Sequence, residues 1–335
     1  MSLATWRKTY PDADTLARAI RNHSWLATLV PALRVPSVVA VEEHAIVFER
    51  VAGVQVGPSD LAPVAAHLGD LHAAAYAADL HRGPLEREAV VDLPNGHRHN
   101  IPGFLAGRAN IVLSRVTSGA ARGSLLDPDS AAALLHDGSA GPAAIYKDSN
   151  PRNLLITAPA TGPTPSCPVT IDFDDLTLAP FGYDLAKLIV GVAMTTGPVS
   201  DHLVSASLNT YNDAVRRRVP DLPDVSAVFL AGWTEIHHLL TFPYLGRNGY
   251  RYSWDEVRPP AVHAAALSLL RPRVRPSSMS AAGHDPIPAR HGQLTTSQPV
   301  DRTAQPGDTS PRQPPGCLDS ASADDSASVA CDGEC

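Results

Sequence analysis

The sequence predicts an α+β fold of two lobes, followed by a disordered tail. Two observations predict the lobes: a strand, a helix and a hairpin occur within residues 1–56, and helices around one apolar hairpin occur within residues 57–271. The third observation is the composition of residues 272–335, which contain nine Pro, nine Ser and no Phe, Tyr or Trp. Because such a segment buries too little apolar surface to offset the entropy of ordering, we expect it to be disordered.

Length, composition and charge narrow the functional class. The 335 residues suffice for one large domain or two modest ones, and the net charge of −7 argues against a nucleic-acid partner. No apolar run approaches the roughly 18–20 residues of a membrane helix, and no apolar segment follows Trp6-Arg7-Lys8 as it would in a signal peptide. Three of the four cysteines lie in the tail, which is not a disulfide framework. We therefore expect a cytoplasmic protein without nucleic-acid or membrane partners, whose oligomeric state the sequence does not indicate.

The first lobe, residues 1–56, is predicted to be an incomplete sheet-and-helix unit. Its helix is predicted to begin at Pro11-Asp12, because proline is well tolerated at a helix N-terminus. It is predicted to end just before Pro31, because proline cannot continue a helix. The predicted elements are a strand at 5–10, a helix at 12–30, a hairpin of 38–41 and 45–48, and a connector at 49–53.

The second lobe, residues 57–271, is predicted to be mostly helical. Leu61, Val64, Leu68 and Leu71 recur at helical spacing and face one way, which predicts a helix at 61–78. Further helices are predicted at 129–136, 183–195, 200–217, 225–240 and 260–270, and a loop at 95–107. Two short apolar runs, 154–156 and 169–171, predict a hairpin whose loop is 158–168.

Three hard oxygen donors lie beside that hairpin. Asp148, Asn153 and Asp172 occur within 25 residues of one another, each close to one of the two apolar runs. A carboxylate that enters one strand of a hairpin and another that leaves its partner strand come to the same edge of the sheet. This geometry suits Mg²⁺ and a nucleoside triphosphate, with one carboxylate left to receive a hydroxyl proton.

These residues resemble motifs of a known family. Asp148-Ser149-Asn150-Pro151-Arg152-Asn153 and Asp172-Phe173-Asp174 resemble the Asp-x-x-x-x-Asn loop and the metal segment of aminoglycoside phosphotransferases and choline kinases. Phe181-Gly182-Tyr183-Asp184-Leu185-Ala186 looks like the helix start that follows the metal segment in that family. The resemblance covers about residues 5–270 and implies a protein-kinase-like fold with ATP and Mg²⁺ as cofactors.

The resemblance also implies roles for individual residues around the hairpin. Asp148 would orient the acceptor hydroxyl and take its proton late in the reaction. Asn153 and Asp172 would ligate Mg²⁺, and Asp174 would either ligate it or support it from nearby. The neighbouring Asp175 is expected to be a solvated acid of the loop.

The first lobe would supply the nucleotide contacts. Lys8, on the first strand, looks like the family's lysine for the α- and β-phosphates. The connector, which includes Glu49 and Val51, resembles the hinge whose backbone groups hold the adenine edge. Asp184 is expected to be structural, as a helix cap or as a buried acceptor for amides of the 148–153 loop.

The chain departs from the family at three places. No Asp or Glu occurs near residues 21–24 to pair with Lys8, although Asn22 or His23 could form a hydrogen bond there. Tyr146-Lys147 replaces the family's His-Gly, which places a cation beside Asp148. Family members have two strands and a phosphate-covering loop before the lysine strand, whereas seven residues precede Lys8 here, so we expect a truncated first lobe.

The sequence as a whole favours an ATP-dependent phosphotransferase that acts on a small-molecule hydroxyl. A peptide or protein Ser/Thr kinase is one alternative, and a non-catalytic nucleotide-binding or scaffold protein is another. Two further polar clusters remain open: residues 95–100 form either a solvated loop or a substrate contact, and Glu235, His237 and His238 lie on a helix where family members often recognise acceptors.

Overall fold

The structure, a computed structural model, describes most of the first 270 residues. The described ranges are 4–29, 34–78, 80, 85–93, 96–105, 107–119, 122–138, 141–146, 148–157 and 167–270. By its internal contacts the chain divides into Met1–Pro276 and Ser277–Cys335. The predicted disordered tail at 272–335 lies outside the described residues, as do Lys147 and residues 158–166 of the predicted hairpin loop.

The N-terminal elements follow the predicted order of strand, helix and hairpin. They are β1 (Thr5–Thr9), α1 (Ala13–Leu29), β2 (Val38–Glu42) and β3 (Ala45–Glu49). The three strands form an antiparallel sheet in the order β1-β3-β2, in which Lys8 lies opposite Ile46. Helix α1 begins where predicted because the Asp12 carboxylate accepts a hydrogen bond from the Thr15 N–H at 2.7 Å, which satisfies one free donor of the first turn.

The rest of the described chain is dominated by helices, as predicted. The helices are α2 (Leu61–Ala77), α3 (Ala109–Thr117), α4 (Pro128–His136), α5 (Tyr183–Thr196), α6 (Asp201–Arg218), α7 (Ala227–Thr241), α8 (Trp254–Val257) and α9 (Pro260–Leu269). Asp127, Ser200 and Ser226 cap the N-termini of α4, α6 and α7 through their side-chain oxygens. This mixture of helices and strands confirms the predicted α+β class.

The predicted hairpin is present and forms the centre of a small sheet. The remaining strands are β4 (Val54–Gln55), β5 (Ala89–Asp92), β6 (Arg98–Ile101), β7 (Ala143–Tyr146), β8 (Leu154–Thr157), β9 (Cys167–Thr170) and β10 (Leu176–Ala179). Strands β8 and β9 pair antiparallel with Leu154 opposite Thr170, and β4 adds to the other edge of β8. A Cβ atom on Gly53 would lie 3.0 Å from the Ile156 carbonyl oxygen, so glycine lets the connector pack directly on this hairpin.

The predicted loop at 95–107 is wrong in its central part. Residues Arg98–Ile101 form β6, which pairs antiparallel with Ala89–Asp92. His99 occupies a buried position of this alternating strand, with its ring edge-on to Trp25 at 6.3 Å. Burial lowers the pKa of His99 to about 4, which keeps the imidazole neutral and compatible with the core. A substrate contact for this residue is therefore not supported.

Two apolar cores hold the described elements together. The larger core lies among the C-terminal helices and contains Trp233, Trp254 and Tyr211. The smaller core joins the N-terminal sheet and α1 to the segments around the predicted site, through side chains such as Phe48 and Phe173. Since these two phenylalanines meet edge to face at 6.1 Å, the sheet that carries Lys8 rests directly on the Asp172–Asp174 segment. In the part of the chain that the structure describes, no helix has the length and apolar character needed to cross a membrane.

Candidate active site

The loop of residues 148–153, between β7 and β8, is shaped by its own hydrogen bonds. The Ser149 N–H donates to the Tyr146 carbonyl at 3.0 Å, and the Asn150 side chain accepts from the Arg152 N–H at 3.2 Å. Asn153 donates both hydrogens of its side-chain amide to Asp148, to the carbonyl at 2.9 Å and to Oδ2 at 2.7 Å. The amide oxygen of Asn153 is therefore the atom that remains for another ligand.

The Asp172–Asp174 segment follows β9 and lies against this loop. The Ile171 N–H donates to the Asn153 carbonyl at 2.8 Å, which places the start of the segment beside Asn153. Asp172 has a φ of 61°, in the left-handed region that non-glycine residues seldom adopt. Strain of this kind is concentrated at functional sites, where the surrounding structure holds it in place. The structure thus places Asp172 next to a residue bonded to Asn153, whose side chain in turn binds Asp148.

Lys8 joins this cluster from strand β1. Its ammonium group contacts Asp172 Oδ1 and lies 2.6 Å from Asp174 Oδ2. Burial by itself lowers the pKa of Lys8, but the two carboxylates more than offset that effect, so the pKa is raised. Lys8 is therefore held as a cation between two aspartates of the segment predicted to bind metal.

Tyr10 also reaches the cluster, although the sequence reasoning did not assign it to the site. Its hydroxyl donates to Asp174 Oδ1 at 3.1 Å. Burial raises the pKa of the Asp174 carboxyl, and Lys8 offsets part of that shift. Tyr10 follows Lys8 by two residues, and side chains two apart on a strand lie on one face. That periodicity is the signal that could have identified it.

Helix α1 contacts the cluster differently from the prediction. The sequence left open a hydrogen bond from Asn22 or His23 to Lys8, and both side chains bind other partners instead. The Asn22 amide instead donates to the backbone carbonyls of Phe173, at 3.1 Å, and Asp174. The His23 Nε2 donates to the Pro36 carbonyl at 2.7 Å. Asn22 therefore holds the backbone of the segment. The negative charges that balance Lys8 come from the segment's own carboxylates, Asp172 and Asp174.

The donor set of this cluster fits a hard divalent cation. The carboxylates of Asp172 and Asp174 already converge on one cation, the ammonium of Lys8. The Asn153 amide oxygen and these carboxylate oxygens are the ligand types that Mg²⁺ prefers. Among the described residues, no group of three or more His, Cys, Asp and Glu side chains is arranged to hold a metal by itself. Phosphate oxygens of a ligand and water molecules would complete the coordination of an ion here.

Asp184, at the start of α5, holds the 148–153 loop from the protein interior. Its fully buried carboxylate accepts hydrogen bonds from the Tyr146 N–H at 3.0 Å and from the Ser149 hydroxyl. It also accepts from His72 Nε2 at 3.1 Å. On the other side of that ring, His72 Nδ1 and the Tyr211 hydroxyl are 2.7 Å apart. Asp184 thus supports the shape of the loop and is too buried to meet a substrate.

The predicted nucleotide contacts on the connector lie at the end of β3. The Glu49 N–H donates to the Ser37 carbonyl at 2.9 Å, so the carbonyl is the backbone group of Glu49 that could meet a ligand. The Glu49 side chain is bound by the Ser37 hydroxyl at 2.8 Å and by Arg34 at 3.0 Å, and these partners lower the pKa of its carboxyl. Val51 lies in the extended stretch that follows.

The possible acceptor contacts on α7 are not supported. Glu235 is fully buried, with Oε1 bound by Arg258 at 2.9 Å and by the Trp254 indole N–H at 2.8 Å. His237 is also buried and donates from Nε2 to the Tyr183 carbonyl at 2.9 Å, and burial lowers its pKa. His238 is equally buried, and its Nε2 donates to the Arg122 carbonyl at 3.0 Å. These three side chains join elements of the helical core.

Lys187 is a second contact at this site, after Tyr10, that the sequence did not reveal. Its ammonium group lies 3.4 Å from Asp148 Oδ1, and its side chain is 18% exposed compared with 54% for Asp148. A signal was available, since Lys187 is the one basic residue in α5, a helix that is otherwise mostly apolar. A cation in a buried helix needs a partner of opposite charge, and the sequence alone did not show which one.

Oxygen donors, a strand-borne lysine and an exposed aspartate lie close together here, an arrangement that suits phosphoryl transfer. The family model that matches this chain, over residues 7–222, is that of the phosphotransferase enzyme family known as APH. Because the match spans more than half of the chain, the protein belongs to this family. The predicted enzyme class, a phosphotransferase acting on a hydroxyl group, is confirmed by this membership, and so is the predicted family.

Several solved structures have a similar chain fold at low identity. The macrolide 2'-phosphotransferase MphH from Brachybacterium faecium is 17% identical, with a TM-score of 0.43 over 81% of this chain and 85% of that chain. The choline kinase from Cryptosporidium parvum is 12% identical, with a TM-score of 0.44 over 79% and 80%. The aminoglycoside phosphotransferase APH(3'')-Id from Streptomyces rimosus is 17% identical, with a TM-score of 0.42 over 70% and 86%. No curated protein sequence matches the chain.

Proposed function

We propose that the protein transfers the γ-phosphate of ATP to a hydroxyl group of a small molecule, with Mg²⁺ as the metal. The observation that supports this proposal most strongly is the convergence of Lys8, Asp172 and Asp174 beside Asn153 and Asp148. A cation and several hard oxygen donors close together suit a Mg²⁺-bound triphosphate. The family supports the reaction class, and the nature of the acceptor is our inference.

In this proposal Mg²⁺, when bound, would supply positive charge against the phosphates, and the chain's own residues would position the nucleotide and the acceptor. Asp172, Asp174 and the amide oxygen of Asn153 would hold the metal, and Lys8 would turn from the aspartates to the α- and β-phosphates. The backbone carbonyl of Glu49 and the backbone of Val51 would contact the adenine edge. These interactions position the nucleotide before the chemical step.

Asp148 would act on the acceptor. It is the most exposed carboxylate of the cluster, with 54% of its side chain accessible, so a hydroxyl group can approach it from solvent. The carboxylate would accept a hydrogen bond from that hydroxyl, orient its oxygen towards the γ-phosphorus and take the proton late in the transfer.

The direct test is transfer of labelled γ-phosphate from ATP to a panel of hydroxyl compounds that includes aminoglycosides, macrolides and choline. We expect the wild-type protein to phosphorylate at least one compound with Mg²⁺ present and none when EDTA is added. The matched control is Asp148→Asn, which should show no transfer to that compound. Phosphorylation of added proteins, with none of the small molecules modified, would contradict the proposed acceptor class.

The role of Lys8 predicts opposite effects on two ligands. Lys8→Ala would remove a charge-assisted hydrogen bond to phosphate, and one such bond is worth roughly 1.5–3 kcal/mol. Affinity for Mg²⁺-bound ATP should therefore fall by about tenfold or more. The same change frees Asp172 and Asp174 from their ammonium partner, so affinity for Mg²⁺ alone should rise. Titration calorimetry with Mg²⁺ and with a non-hydrolysable ATP analogue measures both.

The matched control for Lys8 is Arg7, its neighbour on β1. Arg7 pairs with Glu42 at 2.8 Å on the exposed side of the sheet, so Arg7→Ala should bind both ligands as the wild type does. Lys8→Arg should restore ATP affinity only in part, because a planar guanidinium does not replace a compact ammonium at a fixed site. Equal ATP affinity of wild type and Lys8→Ala would show that Lys8 does not contact the nucleotide.

A further inference from the structure

Three residues on one face of helix α5 contact the segment around the 148–153 loop. Asp184 binds the Tyr146 N–H and the Ser149 hydroxyl, and Lys187 reaches Asp148. One turn further, a Cβ atom on Gly191 would lie 2.7 Å from Pro151 Cδ, so the helix backbone packs against the loop there. Positions 184, 187 and 191 are spaced i, i+3 and i+7, which places them on one face of a helix.

Lys187 completes a two-sided support of the Asp148 carboxylate. Asn153 donates to Oδ2 at 2.7 Å from within the loop, and Lys187 donates to Oδ1 at 3.4 Å from the helix. The two donors belong to different elements, so together they restrict rotation of the carboxylate about its side-chain bonds. The Lys187 side chain is mostly buried, whereas that of Asp148 is mostly open, so the lysine approaches from the protein side.

The surroundings of Lys187 favour a fixed position over a mobile one. Burial lowers the pKa of Lys187, and Asp148 and Asp184 offset part of that shift. A mostly buried lysine loses little additional conformational freedom when it binds a partner, and the attraction is screened less than at the surface. An exposed ion pair of similar length, such as Arg217 with Asp70 at 3.6 Å, lacks both advantages.

We propose that Lys187 is a positioning residue of phosphotransfer, which holds the Asp148 carboxylate in the orientation that receives the acceptor hydroxyl. This inference rests on the proposed function of Asp148. Without Lys187 the carboxylate keeps, among the described residues, the bond from Asn153 and can rotate away from the acceptor. A misplacement of about 1 Å at a reacting group costs on the order of a hundredfold in rate. Nucleotide binding, which uses other residues, would be unaffected.

The test compares Lys187→Met with Lys187→Arg and with Arg217→Met, which removes the exposed ion pair. Release of phosphate from ATP, with water as acceptor, gives kcat and KM, and calorimetry with a non-hydrolysable ATP analogue and Mg²⁺ gives the binding affinity. We expect Lys187→Met to lower kcat by about ten- to a hundredfold, with KM and analogue affinity within about threefold of wild type. Lys187→Arg should recover part of kcat, and Arg217→Met should match wild type.

Other outcomes separate this inference from the proposed function. Failure of the wild type to bind the Mg²⁺–nucleotide analogue would overturn the proposed function and this inference with it. Normal binding with an unchanged kcat in Lys187→Met would overturn the inference alone. Parallel loss of kcat and analogue affinity would also overturn it, because Lys187 would then contact the phosphates.

A double-mutant cycle on unfolding tests the same pair without turnover. Wild type, Lys187→Met, Asp148→Asn and the double variant are unfolded in urea, and their unfolding equilibrium constants are compared. If the two side chains interact as described, the combined effect differs from the product of the single effects by about threefold or more. Strictly multiplicative effects would mean that Lys187 does not hold Asp148, and would overturn the inference.

Discussion

Replacement of Asp148 by asparagine is expected to lower the rate of phosphate transfer by about a hundred- to ten-thousandfold. A general base contributes an effect of this size, and asparagine retains the shape of the side chain but cannot accept the hydroxyl proton. Affinity for the Mg²⁺-bound ATP analogue should stay within a few-fold of wild type, because the proposed metal and phosphate contacts come from Lys8, Asn153, Asp172 and Asp174. Steady-state kinetics and calorimetry on the same protein preparation measure the two quantities.

The pattern of the two measurements distinguishes the possible roles of Asp148. A lost rate with preserved binding is the result for a group that acts on the acceptor. Loss of nucleotide affinity in Asp148→Asn would instead mean that the loop had moved or that Asp148 belongs to the metal site. A variant that keeps the wild-type rate would contradict the proposed role outright.

Replacement of Asp184 by alanine is expected to have the largest effect on stability. The substitution removes the acceptor for the Tyr146 N–H, the Ser149 hydroxyl and His72 Nε2, all inside the core. Removing one partner from a buried, charged hydrogen-bond network costs about 3–5 kcal/mol of unfolding free energy. Urea unfolding should show that loss as a lower midpoint with an unchanged slope.

The control for this prediction is Asp213→Ala on α6. Asp213 is 60% exposed and pairs with Arg216 at 2.8 Å, three residues along the same helix, so its removal should shift the midpoint little. A loss below about 1 kcal/mol in Asp184→Ala would contradict the description of Asp184 as the anchor of the 148–153 loop.

The geometry around the predicted hairpin could be anticipated because it depends on local rules. Residues 154–156 and 169–171 are apolar runs separated by a turn-rich stretch, and antiparallel pairing brings the residues beside them to one edge. Asn153 and Asp172 were therefore predicted to be neighbours from spacing alone. The predicted helices could be anticipated in the same way, since their caps and apolar periodicity are local signals, whereas α3 and α8 were not predicted.

The contacts that the sequence did not reveal depend on tertiary structure. Lys8 pairs with Asp172 and Asp174 across more than 160 residues of chain, a separation over which sequence spacing predicts no contact. Lys187 meets Asp148 only once α5 is docked beneath the loop. Strand β6 was missed for a related reason: His99 looks polar in the sequence but behaves as a neutral core residue.

The most direct test of the central claim, a Mg²⁺–nucleotide site at Asp172, is calorimetry with a non-hydrolysable ATP analogue. We expect Mg²⁺-dependent binding by the wild type and a loss of that binding in Asp172→Ala. Asp175→Ala is the matched control: this neighbouring carboxylate is 45% exposed and pairs with Arg18 at 3.5 Å, so the variant should bind as the wild type does. Equal affinity of wild type and Asp172→Ala for the analogue with Mg²⁺ would mean that Asp172 does not form a Mg²⁺–nucleotide site.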